Sequence, residues 1–146
     1  MKKLFYLTIL SLLVACSDNH TIEDVPLIYE EREYITKEFM EENAKIGLTT
    51  EEVQDVFGHG PVSGLVDQTE TWLYDSSSYK QLTYDPNLTA FAADEIKQEA
   101  LTYQLYINFV EDKAVKYSYF YKGDDGYVWQ YELTDKGKPL ENIVSE

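Results

Sequence analysis

The chain has 146 residues, 44% of them hydrophobic and 14% aromatic, with 12 basic against 27 acidic side chains and a formal charge of −15. That balance argues against nucleic acid and anionic lipid headgroups as partners, because phosphate binding requires the opposite sign. A single cysteine leaves no disulfide framework and no thiolate metal cluster, and the length suits one domain with its own core.

Lys2 and Lys3 precede an apolar run, Leu4 to Leu13, which ends in Val14-Ala15-Cys16. Basic, apolar and small residues in that order make a secretory leader, and the run is too short for an ordinary spanning helix. Its end closely resembles the lipobox of bacterial lipoproteins. The resemblance implies a signal peptide over 1–16 with Cys16 acylated as the first mature residue. Losing Lys2 and Lys3 leaves 10 basic residues against 27 acidic ones, a balance of −17. Residues 17–27, with Asp18, Asn19, Thr21, Glu23 and Asp24, lack an apolar period and read as a polar tether in which His20 is idle.

The domain is expected over 28–135. From Ile28 to Lys45 the composition is helical, with Tyr34, Ile35 and Phe39 on a shared face, and Thr36 can cap a later start at Lys37. A second helix is sharply defined. Thr49 and Glu52 have capping-box spacing, Val53, Val56 and Phe57 form one apolar stripe, and Gly58 with Pro61 ends it. Two such helices, each with a narrow stripe, need a sheet to cover.

Strand character begins at Thr69 to Tyr74. Between Asp75 and Ala100 lies a long insertion, with a possible strand at Gln81 to Tyr84 and a helical turn within Ala90 to Glu99. Then Leu101 to Val110, Ala114 to Tyr121 and Gly126 to Leu133 alternate as half-buried strands. Keeping the odd-numbered apolar residues on one face pairs 109 with 115, 107 with 117 and 105 with 119, and then 119 with 129 and 117 with 131. The loops are 111–113 and 122–126. Residues 136–146 are expected to form a loose tail. The sequence thus predicts an α+β fold, in which two short N-terminal helices pack on one face of a four-stranded antiparallel meander.

Ile46-Gly47-Leu48-Thr49, Glu52-Val53, Phe57-Gly58 with Pro61, and Trp72 with Tyr74 together resemble the BamE-like (SmpA/OmlA) lipoproteins and the fold of β-lactamase-inhibitor-protein domains. This resemblance implies a small lipoprotein of the cell envelope that binds other proteins, in one branch as an accessory of outer-membrane protein assembly. Ser17 after Cys16 implies the outer membrane in a Gram-negative cell, and the outer face of the plasma membrane is implied in a Gram-positive one.

The residues offer little to catalysis. No Ser, Cys or His set makes a nucleophile, His59 sits in a turn between Gly58 and Gly60, and no carboxylate is isolated in an apolar run. Lys122-Gly123-Asp124-Asp125-Gly126 lacks the oxygen spacing of a calcium loop and reads as a hairpin turn. The expectation is therefore a non-enzymatic chain with no metal site, no cofactor and no nucleic-acid partner. Tyr106, Phe120 and Val128, framed by Gln104 and Gln130, fall on the even face of the sheet, which a one-sided helix layer leaves open. They are the candidate surface for an envelope protein partner. The competing expectation is a small-ligand or cation-binding lipoprotein that serves a transporter through its acidic loops.

Overall fold

The computed structural model describes residues 35–145. The leader, Cys16, the tether and residues 28–34 lie outside the described residues. In place of four strands under two helices there are, among the described residues, six antiparallel strands and four short helices. Helices α1 (Lys37–Asn43) and α2 (Thr50–Phe57) precede β1 (Val62–Val66) and β2 (Thr69–Asp75). Helices α3 (Ser77–Lys80) and α4 (Ala93–Lys97) lie in the connection to β3 (Tyr103–Val110), which is followed by β4 (Lys113–Lys122), β5 (Val128–Thr134) and β6 (Leu140–Ser145). The strands stand in the sheet in chain order, each antiparallel to the next.

The expected α+β fold with a four-stranded sheet is wrong at both edges. β1 is short and carries Gly64, which dilutes its strand signal; a side-chain carbon there would lie 2.8 Å from Leu88 Cδ1. β6 occupies the expected loose tail, paired along β5 and tied to α1 by a 2.7 Å ion pair between Lys37 and Glu141.

The first helix layer follows the local signals. Thr36 caps α1 by accepting from the Phe39 N–H, and the capping box of α2 is complete, Thr49 accepting from Glu52 N–H and Glu52 from Thr49 N–H at 2.8 Å. Gly58 ends α2 at φ 98° and ψ 170°, a positive-φ conformation that favours glycine. Met40, Val53 and Phe57 then pack on Trp72, Tyr74, Leu105, Ile107, Tyr117 and Tyr119. The tyrosines also fix the layer by their tips. Tyr74, Tyr117 and Tyr119 donate to the carbonyls of Gly58, Lys45 and Ile35 at 2.8–2.9 Å, so each ring is buried with its hydroxyl satisfied.

The β3–β4 connection is a two-residue turn at Glu111-Asp112, both with positive φ, in place of the expected three-residue loop. A bulge at Asn108/Phe109 pairs Phe109 with Ala114, so Ala114 and not Val115 joins the core. The turn places the Asp112 carboxylate 2.6 Å from the Thr50 hydroxyl, on the first turn of α2. Between β4 and β5 the observed pairs are Tyr119 with Tyr131 and Tyr117 with Leu133, two residues from the expected register. A shift of two preserves the face. It lets the Trp129 indole lie over Gly123 and donate to Asp125 at 3.1 Å.

The α2 cap has a pH signature. Hydrogen bonds accepted from the Thr50 side chain and then its backbone lower the Asp112 pKa, and the one from Thr49 N–H lowers that of Glu52. A carboxyl whose pKa falls on folding stabilises the fold above its unfolded value of about 4, and that contribution is lost as pH falls below it. The urea midpoint is therefore expected to drop between about pH 5 and pH 3, and to drop less in Asp112→Asn. Parallel acid limbs in the two proteins would contradict the cap.

Candidate functional site

The second face of the sheet, expected to be open, is covered. Residues 76–102 fold back over it, and Leu82, Tyr84, Leu88, Phe91 and Ile96 pack on Leu73, Tyr106, Phe120 and Val128. Phe91 stacks on Phe120 with ring centroids 4.3 Å apart and planes 5° apart, and Tyr106 meets Phe120 edge-on at 5.9 Å. The segment is irregular because it is held by single contacts in place of a ladder. No strand forms at 81–84, where Gln81 turns left-handed at φ 51°, whereas the helical turn expected within 90–99 is α4.

Polar groups fasten this cover to the sheet. Gln104, fully buried, accepts from Ala92 N–H at 2.6 Å and donates to the Tyr84 hydroxyl at 2.9 Å; Tyr84 in turn donates to Asp75. Ser76 accepts from Thr102 N–H, and the Tyr106 hydroxyl donates to the carbonyls of Asn87 and Ala90. No buried side-chain nitrogen or oxygen among the described residues lacks a partner.

Of the five residues expected to meet a partner, Tyr106, Phe120, Val128 and Gln104 are thus buried, the last two completely. Gln130 is half-buried. The structure does bring Tyr106, Phe120 and Gln130 together with Asn108 and Lys116 along a shallow groove of about 250 Å³, where the cover stops short of the sheet end. Its floor follows from the pairing register: Gly64, Thr71, Asn108, Lys116 and Thr134 lie opposite one another across five strands. Asn108 donates to Thr71 at 2.8 Å, and Lys116 pairs with Glu132 at 2.7 Å.

Burial shows in the phenols. Desolvation pushes the Tyr106 pKa up to about 12, with the Asp75 charge adding to it, and desolvation also raises Tyr117 to about 12. Tyr84 rises first by burial and then by its bond to Asp75. A phenol whose pKa is raised on folding contributes stability that is full below about pH 10 and is lost as pH climbs towards the folded value. Absorbance titration is expected to ionise only part of the 13 tyrosines near pH 10 and the remainder on alkaline unfolding. A single transition at about pH 10 would contradict the packing.

The groove opens at Val66 onto β1, a feature the sequence reading missed. β1 is the first strand of the sheet, and among the described residues only β2 pairs with it. Its turn, Asp67-Gln68, has positive φ at both residues and closes on the pair Val66–Thr69. In a two-residue hairpin the closing pair is hydrogen-bonded, and alternation then leaves the N–H and C=O of Ser63 and Leu65 pointing outward. Leu65 is 76% exposed and Val62 42%. Natural sheet edges are guarded by charge, proline, bulges or a cover. The opposite edge is guarded in that way, since β6 carries Glu141, follows Lys136, Lys138 and Pro139 and faces a bulge at Val128/Trp129. β1 shares only the preceding proline, Pro61, and has no charged residue from Val62 to Val66.

Two wider hollows flank the Lys122–Gly126 turn, of about 620 and 580 Å³. Their lysines are committed internally, Lys122 to Glu99 at 2.6 Å and Lys37 to Glu141. No three His, Cys, Asp or Glu side chains among the described residues are grouped to hold a metal ion. No helix among them is long and apolar enough to cross a membrane. No family model, curated protein or solved structure matches the chain.

Proposed function

We propose that this chain is a non-enzymatic, lipid-anchored protein-binding module of the cell envelope, held to the membrane at Cys16 and engaging its partner along β1. The observation that carries the reading is the edge strand β1, uncharged from Val62 to Val66, with Leu65 exposed on its α2 side and Val66 at the polar groove on the other. The resemblance of the Ile46 to Tyr74 stretch to BamE-like lipoproteins supports the same class of function, as an accessory of envelope or outer-membrane protein assembly. An accessory role needs a stable scaffold. The covering of both sheet faces supplies one, and it leaves the edge as the place where backbone groups can still be satisfied by another chain.

The test is made in cells. The intact chain is expected in the membrane fraction with an acylated Cys16, and Cys16→Ala is expected to leave that fraction. A photo-crosslinking residue at position 63 is expected to trap an envelope protein. An unacylated chain, or one that traps no protein from any exposed position, would overturn the proposal.

A further inference from the structure

We infer that the outer edge of β1 takes up an extended peptide segment, uncharged at its centre and flanked by Lys or Arg, as an additional antiparallel or parallel strand. The inference rests on the protein-binding reading and specifies the partner's chemistry. Backbone recognition comes from Ser63 and Leu65, whose outward N–H and C=O groups offer two donors and two acceptors in the geometry of a ladder. Side-chain recognition is modest and apolar. Leu65 stands on the α2 side of the sheet, opposite Glu70, while Val62 and Val66 stand on the groove side with Gly64. A segment with small or β-branched residues at its centre meets these without leaving a charge unpaired.

The flanks are set by the surroundings. From Ile46 to Tyr79 there is no Lys or Arg in 34 consecutive residues, and there are six carboxylates: Glu51, Glu52, Asp55, Asp67, Glu70 and Asp75. This run supplies α2 and the whole β1–β2 hairpin that forms the edge. Asp67 lies in the turn at one end of β1, and Glu70 is directly across from Leu65. A second copy of the chain would bring its own Asp67 and Glu70 to the seam, in a protein whose charge is already −15. Like charges disfavour that pairing, and a basic-flanked segment is attracted to the same site.

The probe is a blocked peptide of sequence Lys-Lys-Thr-Val-Thr-Val-Thr-Lys-Lys, added to the full chain in neutral detergent and followed by calorimetry and amide hydrogen exchange. Binding is expected with protection of the Ser63 and Leu65 amides, and the affinity is expected to fall by about tenfold or more when the four lysines become glutamates. Leu65→Pro removes an outward N–H that β2 does not use, so the fold is expected to survive while binding falls by a similar factor. A peptide N-methylated at alternate residues gives the same answer with the protein unchanged. Equal binding of the Lys- and Glu-flanked peptides, no binding of either, undiminished binding by Leu65→Pro or by the N-methylated peptide, or a dimer sealed through β1 in sedimentation would each overturn the inference. A Leu65→Pro chain that still traps its envelope protein would remove the edge and leave the protein-binding function standing.

Discussion

Phe120→Ala is expected to destabilise the domain by about 3–5 kcal/mol, the cost of emptying an aromatic site in a packed core. The side chain is only 7% exposed, stacked under Phe91 and edge-on to Tyr106, so truncation leaves both rings facing a void. From the sequence alone, Phe120→Ser and Tyr106→Ser should weaken partner capture and spare the fold. The structure reverses that expectation, because these residues hold the 76–102 cover in place. Equilibrium urea denaturation with near-ultraviolet circular dichroism checks it. A change below about 1 kcal/mol, within the range of surface substitutions, would mean that the second face is open.

Val53→Asp is expected to prevent folding. Val53 has no exposed surface and sits on the apolar stripe of α2 against the tyrosine-rich face. An aspartate there must either bury an unpaired carboxylate or take a proton, and a loss beyond about 4 kcal/mol follows from a buried, unpartnered charge. Asp55 on the same helix provides the control: it is exposed, so Asp55→Ala is expected to leave the urea midpoint nearly unchanged. A folded Val53→Asp with a wild-type midpoint would mean that α2 does not cover the sheet.

What the sequence made legible was local in origin. The α2 cap is written in Thr49 and Glu52, three residues apart, and the Thr36 cap of α1 is of the same kind. Alternation placed Tyr103, Leu105, Ile107 and Phe109 correctly on the helix side, because a period of two needs no knowledge of distant residues. Register was harder. A two-residue slip between β4 and β5 keeps every face, so alternation alone does not distinguish the two registers.

The even face was misjudged for a different reason. Tyr106 and Phe120 among Gln104, Ser118 and Gln130 have the composition of an exposed patch, and nothing in their own strands says what lies above them. The cover is supplied from 76–102, which has no period because Leu82, Tyr84, Leu88 and Phe91 lie in irregular backbone and Ile96 in the five-residue α4. A signal was nevertheless present. Five large apolar residues within fifteen positions of an insertion need somewhere to be buried, and the even face was the only large surface left unassigned. β1 was hidden by its brevity and by Gly64, and β6 by the Lys-Gly-Lys-Pro run before it, so both edges were lost and with them the candidate site.

Hydroxyl-radical footprinting of the full chain, alone and with the lysine-flanked peptide, distinguishes an open edge from an open face in one measurement. The expected result is heavy labelling of Leu65 in the free chain, its protection when the peptide is present, and low labelling of Tyr106 and Phe120 throughout. Labelling of Tyr106 and Phe120 comparable with that of Leu65, and its suppression by the peptide, would contradict the account.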